Sequence, residues 1–243
     1  MTDPLLVPLI TCQNINVYYR KHHVLNDISG IIKQGSLTAV VGPNGGGKST
    51  FLKAIIGLAP LDSGHISFAN NDITKVAYLP QNNLIDRSFP ITVFDLVASG
   101  HISHLGLFKE FNSQHQQQTF EAIELLGLKD CAHKSIAMLS GGQFQRCLFA
   151  RLSLQNCATV LLDEPFTAID AYTTEILQDL IIHWHQNGKT ILTVCHDLDI
   201  VHQYYPDSIL IAGKCIGWGS THDTLTTENW HQAKKMSQIL EQK

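Results

Sequence analysis

From Ile10 to Tyr19 apolar and polar positions partly alternate, and Leu37 to Val41 is a short, mostly apolar run that ends at Gly42. The first is the spacing of a strand with one buried face, the second that of a short strand buried on both. Lys48 to Gly57 then carries a helical pattern and closes on a glycine, where helices commonly stop. A strand, a glycine-rich turn and a helix in that order predict the opening of an α/β core.

From about Leu84 to Leu154 the pattern changes. Thr92 to Ser99, Ser113 to Leu126 and Gly142 to Leu154 suit helices, with no convincing strand between them. This predicts a helical subdomain, about residues 84–155, inserted between core segments of about 10–83 and 156–219. Strands return at Thr159 to Leu162, Thr190 to Cys195 and Ser208 to Ile211, each after a helical segment, as parallel strands joined by helical crossovers require. The polar tail, about 220–243, is expected to end in a small surface helix. The expected architecture is one α/β domain over residues 1–243, with a parallel-sheet core, an N-terminal antiparallel β region and an inserted α-helical subdomain. There is no internal repeat, and the run Gln114 to Gln118 is too short to count as low complexity.

Composition narrows the partners. With 243 residues, 44% of them hydrophobic and 16% charged, the chain can bury one sizeable core. Its net charge of −4 argues against a sequence-independent grip on nucleic acid or anionic lipid. There is no basic leader before an apolar stretch, and no run approaches the roughly 18 apolar residues of a membrane span, so a cytosolic protein reaching a bilayer only through a partner is expected. Cys12, Cys131, Cys147, Cys157, Cys195 and Cys215 are scattered without a CxxC pair. Reduced, mostly buried thiols are expected, with neither a disulfide framework nor a structural zinc site.

Candidate chemistry begins with Gly42-Pro43-Asn44-Gly45-Gly46-Gly47-Lys48-Ser49, followed by Thr50. The run matches GxxxxGK[ST] between an apolar strand and a helix, the context that a phosphate-binding loop needs. Glycines let the backbone turn tightly and aim its N–H groups at phosphates, and the helix dipole adds attraction. Lys48 is expected to reach the β and γ phosphates of ATP, and Ser49 to offer its hydroxyl to Mg2+. A turn that merely links strand to helix gives no reason for Lys-Ser at the helix start. The apolar run Thr159 to Leu162 ends in Asp163-Glu164-Pro165, which puts two carboxylates at the carboxyl end of a buried strand. Asp163 is placed to hold Mg2+ through water and Glu164 to polarise an attacking water, although such a pair also suits a helix N-terminus.

Leu139-Ser140-Gly141-Gly142-Gln143, followed by Phe144-Gln145-Arg146, resembles the signature motif of ABC ATPases. Ser140 and the glycine pair at a helix start make a second anion site in one chain. The resemblance runs from about Ile10 to Trp218. It implies a RecA-like P-loop NTPase core, active ATP hydrolysis, and a head-to-tail dimer with two ATPs sandwiched between copies. It further implies integral membrane permease subunits as partners, a solute-binding protein reached indirectly, no nucleic acid, and a position on the inner face of the cell membrane.

Other positions follow the family's order. Gln81, after the strand-like Val76 to Leu79, resembles the glutamine that contacts Mg2+ and senses the membrane subunit. Asp170, in Thr167-Ala168-Ile169-Asp170, resembles the aspartate loop that links the two sites, where the family usually has Ser-Ala-Leu-Asp. His196 resembles the switch histidine that contacts the γ phosphate. Tyr19 resembles the aromatic that stacks on adenine, with Tyr18 as the competing register. Asn82 to Val97, with Phe89-Pro90 and Thr92-Val93, is similar to the ATPases of zinc and manganese importers, as is His104-Leu105-Gly106-Leu107-Phe108. Importers of siderophore iron, haem or cobalamin have related segments and stay open as alternatives. The thirteen histidines, including His22-His23, His101 with His104, and His183 with His185, are expected to be ordinary surface residues.

Overall fold

The computed structural model describes residues 7–69, 76–81, 86–102 and 110–241. Asn82 to Ile85 and His104 to Phe108, two of the stretches on which the importer resemblance rests, lie outside the described residues.

The strands are β1 (Pro8–Tyr19), β2 (His22–Lys33), β3 (Leu37–Val41), β4 (Ser63–Phe68), β5 (Val76–Leu79), β6 (Thr159–Asp163), β7 (Thr190–Val194), β8 (Asp207–Ala212) and β9 (Lys214–Ser220). They form two sheets, a three-stranded one in the order β2-β1-β4 and a six-stranded one in the order β5-β6-β7-β3-β8-β9. In the larger sheet β3 runs parallel to both β7 and β8, and β6 parallel to β7, while β9 returns antiparallel to β8. Every residue of β3, β6 and β7 is buried, as expected of parallel strands covered on both faces. The smaller sheet is antiparallel, with β1 paired to β2 and β4. Four register irregularities along β1 and β2 explain why alternation there is only partial in the sequence.

The helices are α1 (Lys48–Ile55), α2 (Val93–Ala98), α3 (Ser113–Leu125), α4 (Gly141–Leu154), α5 (Ala171–Gln186), α6 (Leu198–Tyr204), α7 (Thr221–Thr224) and α8 (Thr227–Glu241). Contacts divide the described residues into two units. The first holds those up to Tyr78, Ala158–Glu164 and those from Trp184 on; the second holds those in Leu79–Cys157 and Pro165–His183. Within the first, α1 seats Phe51, Leu52 and Ile55 in a core shared with Val40, Leu161, Leu192 and Ile209. Phe51 meets the edge of Trp218 at 5.8 Å and 86°, and the Trp218 indole donates to the Ile31 carbonyl at 3.1 Å. Within the second, α2, α3 and α4 pack on one another. Each begins with a reciprocal capping box, Thr92 with Asp95, Asn112 with His115, and Ser140 with Gln143. Each box satisfies two otherwise orphaned backbone N–H groups, so the helix starts are written into the local sequence.

Two expectations need correction. The polar tail does more than end in a small surface helix, because α8 is 15 residues long and packs on β8 and β9 with Ala233 and Ser237 buried. Trp230 and Met236 beside these two are half-buried. His101 is only 5% exposed, so it is not a surface histidine. Its ring packs against Phe111 and His115, and its Nε2 lies 3.3 Å from the Thr119 hydroxyl. The six cysteines are free thiols, five of them buried, and burial pushes Cys12 and Cys147 up to about 12.

Removing the fully buried Phe51 ring leaves a cavity beneath Trp218. Phe51→Ala is expected to lose about 3–5 kcal/mol in urea unfolding. A loss below about 1 kcal/mol would mean that α1 does not carry this core.

Candidate nucleotide site

The loop 42–47 leaves the buried end of β3 and delivers Lys48 to the first turn of α1. Gly42 has φ +146, and a Cβ on it would sit 1.9 Å from the Ile211 carbonyl of β8. No other residue fits there, because the adjacent strand already occupies the space. The loop is closed by Gly46 N–H donating to the Pro43 carbonyl at 3.1 Å and by Gly213 N–H donating to the Gly46 carbonyl at 2.8 Å. Ser237 of α8 adds a longer bond to the Asn44 carbonyl at 3.4 Å. Asn44 and Gly45 at the tip are exposed, Pro43, Ser49 and Thr50 half-buried, and Gly42, Gly46, Gly47 and Lys48 buried. The Lys48 ammonium folds back over the loop and donates to the carbonyls of Gly42 at 3.0 Å and Pro43 at 2.9 Å. Burial lowers its pKa, and the negative charges of Glu164 and Asp163 work against that shift.

Asp163 ends β6 at 1% exposure, with a different donor on each oxygen. The Ser49 hydroxyl donates to Oδ1 at 2.7 Å and the Tyr78 phenol to Oδ2 at 3.1 Å. Burial pushes the Asp163 carboxyl up; these two hydrogen bonds oppose that, and the neighbouring Glu164 adds to it. Glu164 itself has φ +53, a left-handed conformation uncommon for a residue with a side chain. That turn breaks strand geometry one residue after Asp163, where alternation would otherwise send the two carboxylates to opposite faces. Glu164 Oε1 lies 2.6 Å from His196 Nε2, two residues past β7. The sequence-predicted Lys48, Ser49, Asp163, Glu164 and His196 therefore meet at the carboxyl ends of β3, β6 and β7, where ligands bind open α/β sheets.

In the second unit Ser140 is exposed and caps α4, its Oγ accepting from Gln143 N–H at 3.2 Å while Gln143 Oε1 accepts from Ser140 N–H at 3.0 Å. A Cβ on Gly142 would lie 2.8 Å from the Thr173 hydroxyl and 3.0 Å from Asp170 Oδ2, so the glycine pair lets the aspartate loop approach the helix start. Asp170 accepts from Thr173 N–H at 2.8 Å and from its hydroxyl at 2.9 Å, and these bonds hold its carboxyl below the usual range.

The family model described as ABC transporter matches residues 25–167. Manganese transport system ATP-binding protein MntB of Listeria innocua is 38% identical over 89% of this chain and 92% of its own length. The protein of the same name in Bacillus subtilis is 37% identical over 90% of each. The chain belongs to the ABC transporter ATPase family. Zinc transport system ATP-binding protein TroB of Treponema pallidum is 37% identical over 90% of this chain and 84% of that protein. Among solved structures, an inward-facing ABC transporter assigned to the metal-chelate type superposes with TM-score 0.83 at 27% identity, covering 94% of this chain and 90% of that one. An ATP-binding cassette in its ADP conformation superposes with TM-score 0.80 over 94% of this chain and 99% of that one; at 21% identity it speaks for the fold alone. As an ABC ATPase, this chain binds and hydrolyses ATP and works with membrane subunits. No helix among the described residues is long and apolar enough to cross a membrane.

The remaining positions of the ABC ATPase pattern are placed as follows. Tyr18 stacks on His23 at 4.0 Å and 9°, whereas Tyr19 is near enough to Tyr78 for the two phenols to interact electrostatically. Both tyrosines are partly exposed at the end of β1. Gln81 is half-buried two residues beyond β5. Three residues were not singled out by sequence. Tyr78 is half-buried in β5, and Gln145 donates to the Pro165 carbonyl at 2.8 Å, next to the strained Glu164. Arg87 donates to the Leu139 carbonyl beside the signature serine and lies over the Phe144 ring at 4.7 Å. A tyrosine at a strand end and a long polar side chain on an apolar helix face were the available signals.

Oxygen donors from a serine hydroxyl and an aspartate suit a hard divalent cation that keeps several waters, as Mg2+ does. Among the described residues, no cluster of three or more His, Cys, Asp or Glu could hold a metal ion by itself. Because the raised Asp163 pKa means that folding disfavours the charged carboxylate, wild-type stability should fall as pH rises from the ordinary 3.8 through the folded value. Asp163→Asn removes that cost. It is expected to melt above wild type at pH 7, with the gap closing as pH falls toward 3.8. A variant less stable than wild type at pH 7 would contradict this account of the site's electrostatics.

Proposed function

We propose that this chain is the ATPase of an importer for a transition metal ion, manganese or zinc. The observation that carries the reading is identity of 37–38% along about nine-tenths of the chain with ATPases of manganese and zinc transport systems. The sequence after Gln81, with Phe89-Pro90 before the capped start of α2, adds support. Iron-siderophore, haem or cobalamin import is the second reading, favoured by the metal-chelate type structural neighbour.

In this reading Lys48 exchanges its two loop carbonyls for the β and γ phosphates of ATP, and the exposed loop tip closes over them. Tyr19 stacks on the adenine. Ser49, Asp163 through water, and Gln81 would hold Mg2+, which would supply positive charge to the phosphates. Glu164 accepts a proton from the attacking water, and His196, already bonded to it, orients that carboxylate and reaches toward the γ phosphate. The exposed Ser140, with Gly141, Gly142 and Gln143, supplies the second anion site to a second copy arranged head to tail, with Asp170 linking the two sites. ATP-driven closure and post-hydrolysis opening of that dimer drive permease subunits on the inner face of the membrane, which receive the ion from a solute-binding protein.

Glu164→Gln is expected to bind ATP, to lose hydrolysis by about 100-fold or more, and to accumulate as an ATP-bound dimer in size-exclusion chromatography. Turnover within about tenfold of wild type would place the base elsewhere. Uptake of radiolabelled manganese, zinc and iron, compared between cells with wild type, with Lys48→Ala and without the chain, names the ion. Loss of manganese or zinc uptake in both defective strains is expected; loss of chelated iron or of none of the three would overturn the metal-ion reading.

A further inference from the structure

We propose that Tyr78 is a positioning residue for the metal-binding carboxylate, and that its hydroxyl sets how tightly Ser49 and Asp163 retain the divalent ion. The inference rests on the ATPase reading above.

Asp163 has two carboxylate oxygens, and each takes a donor from a different element. Oδ1 takes the Ser49 hydroxyl at the start of α1 at 2.7 Å, and Oδ2 takes the Tyr78 phenol from the neighbouring strand β5 at 3.1 Å. A carboxylate held by one donor still turns about its Cβ–Cγ bond, whereas one held on both oxygens has its plane and direction fixed. The Ser49 hydroxyl can keep donating to Oδ1 while its own oxygen is offered to the cation, but it fixes that one carboxylate oxygen only. Tyr78 then remains as the anchor on the far oxygen.

The strand explains why a tyrosine reaches this point. In β5 Ala77 and Leu79 are buried in the core, while Val76 and Tyr78 alternate to the other face and are half-buried. From there the phenol spans the gap of roughly 4.8 Å to the adjacent strand, where β6 ends at Asp163. Packing does not need the hydroxyl, since a phenylalanine ring fills the same volume. An ordinary phenol titrates at about 10, so its hydroxyl is a donor at physiological pH. Groups that orient a metal ligand by hydrogen bonding are commonly worth about 10–100-fold in metal affinity.

The test is Tyr78→Phe in the Glu164→Gln background, where hydrolysis does not interfere. Binding of a fluorescent ATP analogue is followed as MgCl2 is titrated, and separately in EDTA. The expected result is a rise of about tenfold in the Mg2+ needed for half-maximal binding, with binding in EDTA unchanged. Superposition of the Mg2+ titrations within about twofold would overturn the proposal, as would an equal loss in EDTA, which marks a packing role. If the Glu164→Gln protein with Tyr78 intact binds the analogue no better with Mg2+ than in EDTA, the parent reading fails as well. That outcome is separate from superposed but Mg2+-dependent curves.

Discussion

The structure depends on holding one lysine and two carboxylates together at the edge of a buried parallel sheet. Lys48 is screened from water, and so is Asp163, yet no ion pair between them is formed; the lysine spends its hydrogen bonds on two carbonyls of its own loop. Burial lowers the pKa of the lysine and raises that of the aspartate, so the fold works against both charges. Such an arrangement persists because neighbouring strands over-determine it. The Ile211 carbonyl fixes the loop at Gly42, and Ser49 and Tyr78 fix the aspartate. In the proposed reading a polyanion with its divalent cation supplies what the site lacks, with negative charge for the ammonium and positive charge for the carboxylate.

The same economy appears at Glu164. Its left-handed backbone costs of order 1 kcal/mol or more, and the strain is retained where it turns a carboxylate toward His196. In the second unit, the signature serine and glutamine first serve as a capping box that starts α4. One pair of side chains therefore ends the preceding loop and presents a hydroxyl at a helix N-terminus, which is the chemistry of an anion site. Structural and chemical roles share these residues, as they do for Asp170, whose carboxylate caps α5 through Thr173.

Much of this was legible in the sequence, for identifiable reasons. Runs such as Leu37 to Val41 and Thr159 to Leu162 are apolar apart from one threonine each because their strands are covered on both faces, so they mark the interior of the sheet. The phosphate loop and the signature are contiguous in sequence, and local geometry alone dictates their residue types. What sequence passed over was set by tertiary contact. That Tyr18 stacks on His23 follows from strand register. The part played by Tyr78 exists only because β5 and β6 are neighbours, although 85 positions separate Tyr78 from Asp163. The burial of His101 depends on Phe111 and His115, and the docking of α8 on its packing against β8 and β9.

The central claim is that buried charge at the sheet edge is left incomplete by the protein and is completed by MgATP. The most direct measurement is the melting temperature of wild type and Lys48→Ala with ATP and MgCl2, with ATP and EDTA, and without ligand. At a ligand concentration near 100 times Kd, the account predicts that MgATP stabilises wild type by about 2.7 kcal/mol, a rise of roughly 5–10 °C. It further predicts a smaller rise with ATP in EDTA and almost none in Lys48→Ala. An equal rise in the lysine variant, or none in wild type, would contradict it.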